Sequence, residues 1–405
     1  MTSPNDPFLS DEFHTDPAAV VARMRSDDPV HLIPGLNAWM VTRHDDVRGL
    51  FTNENVTNDR RVFEHYTLPE EGTTARWIAE NGPFAAPPEQ HARMRRLVSS
   101  ALTPRAVKRM EDQVRAVVDD FAQPLRGRTG VVDVFAEFTE PIPNTVIGRI
   151  AGVPPKGEDE LRWRTLGRDA VRGVSPFLSP EERKVSEDAM TELCDYVREL
   201  AGERRKRPED DLVSDLVLAH DESDQMTNDE IVLMVAGLVA AGTETTTIGG
   251  TRGIRALLQH PEQMELLRQD RALMRNAVDE LLRFDFGSLG LPRYALRDFS
   301  FRGKQIRKGQ VMLLSFLGAH RDPDVFPDPD RLDIRRDVSA LTIFGHGPHY
   351  CLGANLARQE LGCMFDAALD FLTPGSKVVE EDIAWTRMGI FSRIDSLPVE
   401  LSERP

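Results

Sequence analysis

Cysteine is scarce in this chain of 405 residues, which has only Cys194, Cys351 and Cys363. Three cysteines cannot build a disulfide framework, so the sequence fits a reducing compartment and predicts a cytoplasmic protein. No apolar run approaches the roughly 20 residues that cross a bilayer. The polar, proline-containing segment 1–13 lacks the apolar core of a signal peptide. We therefore predict no membrane anchor, and a poorly ordered tail over residues 1–13.

Basic residues are also under-represented, because 50 Lys and Arg stand against 66 Asp and Glu and give a net charge of −16. This balance argues against nucleic acid as a partner. No linker or low-complexity run divides the chain, so we predict a single domain over residues 1–405. One stretch, residues 90–110, has no acidic residue but six basic ones: Arg93, Arg95, Arg96, Arg105, Lys108 and Arg109. It is either a solvated helix face or a docking surface for an acidic protein.

Hydrophobic periodicity predicts a mainly helical body. Two short apolar strands, 30–33 and 38–41, predict an early hairpin, and strand-like pieces return at about 296–311 and 389–399. Residues 58–88 are irregular, as in long loops that cover active sites. Thr227 and Glu230 form a capping-box pattern. The predicted helices are 104–124, 138–150, 180–206, 227–258, 271–284 and 354–372. Cys194 and Cys363 fall inside them as small core residues.

Cys351 lies in a glycine-rich segment, Phe344-Gly345-His346-Gly347-Pro348-His349-Tyr350-Cys351-Leu352-Gly353, directly before the last predicted helix. Glycines allow tight turns and a close approach of the backbone to a ligand. Amides in the following turn can donate to the sulfur, and a helix N-terminus favours a thiolate. The segment therefore suits a haem iron. The alternative is a buried structural cysteine.

The segment resembles the haem-binding signature of the cytochrome P450 family, Phe-Gly-x-Gly-x-His-x-Cys-x-Gly, at every fixed position. Other segments similar to that family run from about residue 40 to residue 399. The resemblance implies a mainly α fold, with a large helical domain and small β-sheets around a buried haem b. It implies Cys351 as the iron ligand, and haem contacts from Phe344, Gly345, His349 and Gly353.

The segment Ala241-Gly242-Thr243-Glu244-Thr245-Thr246, midway along a predicted helix, resembles the oxygen-activating motif of the same family. By itself, this segment is typical of a core helix whose residues have low helix propensity. The resemblance implies that Thr245 faces bound dioxygen, that Glu244 relays protons from solvent, and that Ala241 and Gly242 lie against the cofactor. Cleavage of an iron-bound peroxide needs a proton on the distal oxygen, which a hydroxyl holding a water can supply.

The pair Glu280 and Arg283, three residues apart on one helical face, is similar to the family's Glu-x-x-Arg element. The resemblance adds Arg331 as a third member, with a structural role. It also implies that His91, Arg95, Arg293 and His349 hold the haem propionates. Pro87-Pro88-Glu89-Gln90 departs from the family's usual lead-in to His91, although the spacing from His91 to Arg95 is retained.

By the same resemblance, a substrate is bounded by Phe84, Leu238, Ser288, Leu289, Leu291, Ile390 and Phe391. These residues are mostly apolar and include no charged anchor, which predicts an apolar, medium-to-large substrate such as a steroid, terpenoid, fatty acid or macrolide-like molecule.

The leading hypothesis is a monomeric monooxygenase that combines substrate, dioxygen, two electrons and two protons into an alcohol and water. Its electrons are expected from NAD(P)H through a separate reductase and a ferredoxin or flavodoxin, because the chain has no flavin or nicotinamide module. Three alternatives stay open: a peroxide-driven enzyme, which typically lacks the acid and threonine; a haem-thiolate sensor, in which Thr245→Ala changes nothing; and a scaffold without haem.

Overall fold

The structure, a computed structural model, describes residues 12–13, 16–33, 36–83, 86–154, 156–172, 179–221, 224–388 and 390–403. These residues fold into two compact units. The first unit comprises the chain up to Leu68 together with Ser288–Leu332 and Arg336–Cys351. The second comprises Pro69–Gly287, Asp333–Arg335 and the chain from Leu352 on. The prediction of a single domain stays a prediction.

The first unit is built on a five-stranded sheet. Its strands lie in the order Val30–Ile33, Ala38–Val41, Val311–Leu314, Leu291–Ala295 and Val56–Thr57. A separate hairpin joins Phe299–Phe301 and Lys304–Ile306. The α-helices are Pro17–Asp27, His44–Leu50 and Phe316–His320, and Arg60–Val62 and Gly347–His349 form 3₁₀ turns.

The predicted early hairpin is confirmed, since Val30 pairs with Val41 and Ile33 with Ala38 in antiparallel register. Its second strand is buried at all four positions because it also pairs in parallel with Val311–Leu314. A strand that is buried on both faces reads as a continuous apolar run, as this one does.

The second unit is mostly helical. Its α-helices are Thr74–Asn81, Pro88–Ser99, Pro104–Arg109, Glu111–Ala122, Pro141–Ala151, Glu158–Val171, Pro180–Lys206, Leu212–Leu218, Asn228–Gln259, Pro261–Gln269, Met274–Phe284 and Ala354–Phe371. Short 3₁₀ or π turns lie at Ser100–Leu102, Gln123–Leu125, Phe135–Thr139, Arg271–Leu273 and Glu380–Asp382.

Three small sheets complete the second unit. One has the strand order Lys377–Val378, Pro398–Leu401 and Gly130–Asp133, and the other two are hairpins, His220–Asp221 with Asp224–Gln225 and Ala384–Met388 with Phe391–Ser396. The predicted fold class, mainly α with small sheets, is confirmed.

Asn228–Gln259, here called the central helix, is 32 residues long. It begins with the predicted capping box, in which the Thr227 hydroxyl accepts from the Glu230 N–H and the Glu230 carboxylate accepts from the Thr227 N–H. Contrary to the expectation from sequence, this helix is long and apolar enough to cross a membrane. However, 61% of its apolar window is buried, as in the core helix of a globular protein.

Other helix predictions are partly corrected. The helix 180–206 is confirmed, but the predicted helix 104–124 divides at Met110, and Pro88–Ser99 and Glu158–Val171 were missed. The stretch 58–88, predicted to be irregular, contains the helix Thr74–Asn81. Cys194 and Cys363 are buried core residues as predicted, and burial raises the pKa of each thiol to about 11.

Candidate functional site

The segment around Cys351 is a loop closed by its own backbone in the first unit. The Cys351 N–H donates to the Phe344 carbonyl at 2.7 Å, and the Tyr350 N–H donates to the Gly347 carbonyl at 3.0 Å. Cys351 itself is exposed. The chain therefore holds this cysteine at the end of a tied loop, and not as a buried structural residue.

Two of the loop's glycines are explained by its geometry. Gly345 and Gly347 both have φ of +75°, in the left-handed region that side chains disfavour. A Cβ on Gly347 would also overlap the Thr52 methyl group. In contrast, Gly353 has an ordinary φ of −84°, and a Cβ there would meet nothing within 4 Å. Contacts with the described protein atoms therefore do not explain Gly353.

Arg293 is a buried cation in the first unit, with only 6% of its surface exposed. Its guanidinium lies over the Phe51 ring, 4.9 Å from the centroid, and donates to the Pro292 carbonyl at 3.0 Å. No carboxylate of the described residues forms an ion pair with it. Burial without such a partner lowers the pKa of Arg293 to about 10. This environment fits an external anion, such as the carboxylate of a haem propionate.

His349 lies in the cysteine loop, and its Nδ1 is 3.2 Å from the Asn58 side-chain amide nitrogen. That amide can donate only to an unprotonated Nδ1, and in the neutral tautomer with this bond the ring hydrogen is on Nε2, which can donate. In the second unit, His91 and Arg95 share one face of Pro88–Ser99. Burial, and then the charge of Arg95, lower the pKa of His91 and so favour its neutral form.

The central helix carries the predicted oxygen-activating residues on a face that protein side chains leave partly open. Leu238, Gly242 and Thr245 are half-buried and Ala241 is exposed, whereas Val239 is fully buried. The Thr245 hydroxyl donates to the Ala241 carbonyl at 2.6 Å. A Cβ on Gly242 would meet only Ile147, at an ordinary 3.5 Å, so the protein interior does not require glycine there.

Glu244 is paired with a residue that the sequence analysis missed. Both of its carboxylate oxygens accept from Arg393 Nη1 at 3.1 Å, and its side chain is 12% exposed. Burial raises the pKa of Glu244, and the charge of Arg393 partly offsets that rise. One signal in the sequence was available: Arg393 and Asp395 lie two residues apart, and therefore on one face, in a predicted strand.

Glu280 and Arg283 form an ion pair with no exposed side-chain surface. Arg283 donates through Nε and Nη2 to the two Glu280 oxygens at 2.6 and 2.9 Å, and the Asp333 N–H adds a third bond at 3.0 Å. The pair is thus a buried structural element and not the surface pair that such spacing usually produces. The proposed third member, Arg331, belongs to the other unit, and its role stays a prediction.

The predicted pocket residues divide between the units. Leu289 and Leu291 are half-buried in the first unit, as are Ile390 and Phe391 in the second. Phe391 packs edge-to-face against Phe286, with the ring centroids 6.4 Å apart. Phe84 lies outside the described residues.

Ser288, the only hydroxyl among those residues, is occupied within its own turn. It accepts from the Gly290 N–H at 3.2 Å and lies 3.4 Å from the Gly290 carbonyl. The pocket residues therefore present mainly apolar surface.

Comparison with known proteins decides the family. The sequence matches the family model described as Cytochrome P450 over residues 40–372. The chain is a cytochrome P450. Members of this family bind haem, use dioxygen and receive electrons from redox partners, so the chain is a monooxygenase that acts on a small molecule.

Similar proteins cover almost all of this cytochrome P450. The Vitamin D(3) 25-hydroxylase of Pseudonocardia autotrophica is 36% identical over 87% of this chain and 85% of its own. The epothilone C/D epoxidase of Sorangium cellulosum is 34% identical over 85% of this chain and 83% of its own. The structure of the bacillaene polyketide synthase cytochrome P450 PksS of Bacillus subtilis superposes with a TM-score of 0.86, at 30% identity, covering 98% of this chain and 100% of that chain.

Proposed function

We propose that this cytochrome P450 hydroxylates or epoxidises an apolar, medium-to-large molecule, with Cys351 as the thiolate ligand of haem b. The observation that carries the proposal is the tied, exposed cysteine in a loop whose glycines adopt positive φ. The fit of a haem is supported by Arg293, whose buried guanidinium has no carboxylate partner among the described residues.

The other cofactor contacts are assigned by the family resemblance. Arg293, His349, Arg95 and His91 are the proposed propionate contacts, because their side chains can donate hydrogen bonds to a carboxylate. Phe344, Gly345 and Gly353 would contact haem from the cysteine loop. Ala241 and Gly242 would contact it from the central helix, where a side chain larger than Ala would occupy the open face.

When bound, haem supplies the iron at which dioxygen is activated. The protein supplies the protons. Glu244, whose side chain is 12% exposed, takes a proton from water, and the Thr245 hydroxyl passes it toward the reacting oxygen. To act as a donor in that direction, Thr245 must turn its hydrogen away from the Ala241 carbonyl, to which it donates in this structure. Glu280, Arg283 and Arg331 have a structural role.

The substrate class rests on the pocket residues and on the relatives. Leu238, Ile390 and Phe391 offer half-buried apolar surface, and the Ser288 hydroxyl is used within its turn. Two relatives are named for a secosteroid and a macrolide, vitamin D(3) and epothilone C/D. We therefore favour a steroid-like or macrolide-like substrate over a fatty acid.

The electron donor is proposed to be an acidic ferredoxin or flavodoxin with an NAD(P)H-dependent reductase. Arg96, Arg105, Lys108 and Arg109 are exposed and form a basic surface on this otherwise acidic chain. Arg93 is left out of that surface because it is half-buried and paired with Glu230 at 2.6 Å. Lys108 and Arg109 are exposed, although they also pair with Glu111 and, at 3.7 Å, with Asp215. We also propose that the protein is monomeric and cytoplasmic.

The test of thiolate ligation is the absorption spectrum of the dithionite-reduced protein under carbon monoxide. We expect the red-shifted Soret band that gives the family its name, and we expect Cys351→His to lose it because imidazole is a neutral ligand. Cys363→Ala is the matched control and should keep the band. Absence of haem from the wild type, or a band at the position of histidine-ligated haem, would contradict the proposal.

A further inference from the structure

The two groups of the proton relay are both engaged elsewhere in this structure. Thr245 donates to the Ala241 carbonyl at 2.6 Å, and Glu244 is held by Arg393 at 3.1 Å. Neither side chain is therefore bonded to the other, although they are adjacent in sequence. In this state the relay is interrupted at the transfer of the proton from Glu244 to Thr245.

Arg393 has a second carboxylate available. Its Nε donates to Asp395 Oδ1 at 2.5 Å, while its Nη1 holds Glu244, so one guanidinium serves two acids. Because Arg393 and Asp395 are two residues apart on the strand Phe391–Ser396, this second pairing is local. Release of Glu244 would leave Arg393 paired with Asp395, which avoids the cost of an unpaired buried charge.

The charged groups that act on Glu244 come from two parts of the chain. Arg393 and Asp395 lie on the strand, and Glu140 precedes the helix Pro141–Ala151. Arg393 favours the carboxylate form of Glu244, whereas burial and the two acids favour the protonated form. The net effect is a raised pKa of Glu244, because burial outweighs the charge of Arg393.

We propose that Arg393 is a positioning residue that holds the Glu244 carboxylate away from Thr245 and releases it when Glu244 takes up a proton. Protonation removes the charge that binds Glu244 to Arg393, so the neutral acid can turn toward Thr245 and donate. After donation, the carboxylate returns to Arg393. One proton enters from water and one leaves toward the reacting oxygen, so the cycle balances. This inference rests on the proposed function.

The first test titrates the Glu244 carboxyl group by isotope-edited infrared spectroscopy of the ferric holoenzyme. At each pH on either side of neutrality, the spectrum of the Glu244→Gln variant is subtracted from that of the wild type, which leaves the signal of Glu244. We expect Arg393→Met to raise the pH of half-ionisation by about one unit or more, which is about a tenfold change in proton affinity. Arg393→Lys should restore most of the wild-type value. Arg204→Met, which breaks the similarly buried pair with Asp211 at 2.5 Å, should not change it.

The second test measures peroxide released per NADPH oxidised, with an exogenous ferredoxin and its reductase. In Asp395→Asn, Glu244 is the only carboxylate left to pair with Arg393, so Arg393 should hold Glu244 more tightly. The peroxide yield should therefore rise several-fold toward the level of Glu244→Gln. A wild-type peroxide yield in Asp395→Asn, or a Glu244 titration indifferent to Arg393, would overturn the inference. If the carbon monoxide band is normal while these results fail, only the proposed role of Arg393 is wrong. If the band is absent, the proposed function is wrong.

Discussion

Two glutamate–arginine pairs in the second unit differ in how far they are withdrawn from water. Glu280 and Arg283 have no exposed side-chain surface, and each Glu280 oxygen accepts from the guanidinium. Glu244 and Arg393 remain 12% and 24% exposed, and Arg393 is shared with Asp395. When a fully buried ion pair loses one partner, the other charge is left buried and unpaired. A partly hydrated pair whose arginine keeps a second carboxylate can separate at a small cost in free energy. The first pair suits a permanent structural role and the second suits a group that must move.

A third glutamate gives the limiting case. Glu360, on the helix Ala354–Phe371, is 2% exposed, and its Oε1 has no hydrogen-bond partner. With no cation to favour the carboxylate, burial raises the pKa of Glu360 to about 8. Glu360 therefore differs from Glu244, where the charge of Arg393 partly offsets the rise in pKa that burial causes.

The largest expected effect comes from breaking the buried pair. Glu280→Met leaves the Arg283 charge buried and the Asp333 N–H without its acceptor, so we expect a loss of about 3–5 kcal/mol in the free energy of unfolding. Denaturant unfolding of the holoenzyme measures it. The double variant Glu280→Met with Arg283→Met removes both charges and should lose less than the single variant; an equal or greater loss would show that the pair stabilises by more than charge compensation.

The next effect depends on pH and comes from Glu360. Because its folded pKa lies above the ordinary value of 4.5, its unfavourable burial is absent below about pH 4.5, grows as the pH rises, and is complete above about pH 8. Glu360→Gln should therefore stabilise the protein by up to about 3 kcal/mol at neutral pH. This gain should vanish near pH 4.5.

Thermal unfolding of both proteins at matched pH values tests this expectation. Gln359→Glu, which alters the neighbouring residue on the same helix, is unsuitable as a control because Gln359 Nε2 is itself buried. Glu199→Gln, the same change at an exposed helical position, is the better control and should show no such pH-dependent gain. A constant gain at every pH would mean that Glu360 is not titrating in the folded state.

Sequence reasoning succeeded where the determinants are local. The capping box of Thr227 and Glu230 and the helix 180–206 follow from neighbouring residues. The cysteine loop was also predictable, because glycines within a few residues of Cys351 set its turns.

It failed where distant segments meet. Arg393 reaches Glu244 across 149 positions of sequence. The spacing of Arg393 and Asp395 places those two residues on one strand face, but it does not indicate that Arg393 pairs with Glu244. Similarly, the spacing of Glu280 and Arg283 did not distinguish a buried pair from an exposed one, because burial is set by the surrounding helices and by the Asp333 backbone. The local motif identified the acid of the relay, and only the fold supplied its partner.

The smallest expected effect is the one that separates the two pairs most directly. Arg393→Met should cost about 1–2 kcal/mol in the free energy of unfolding, between the values typical of exposed and of buried pairs, because the side chains retain some contact with water. A double-mutant cycle with Glu244→Gln isolates the interaction from the lost packing against Phe135. If Arg393 instead proves as costly to remove as Glu280, the pair is too strong to open during turnover, and Glu244 would have to pass its proton without leaving the guanidinium.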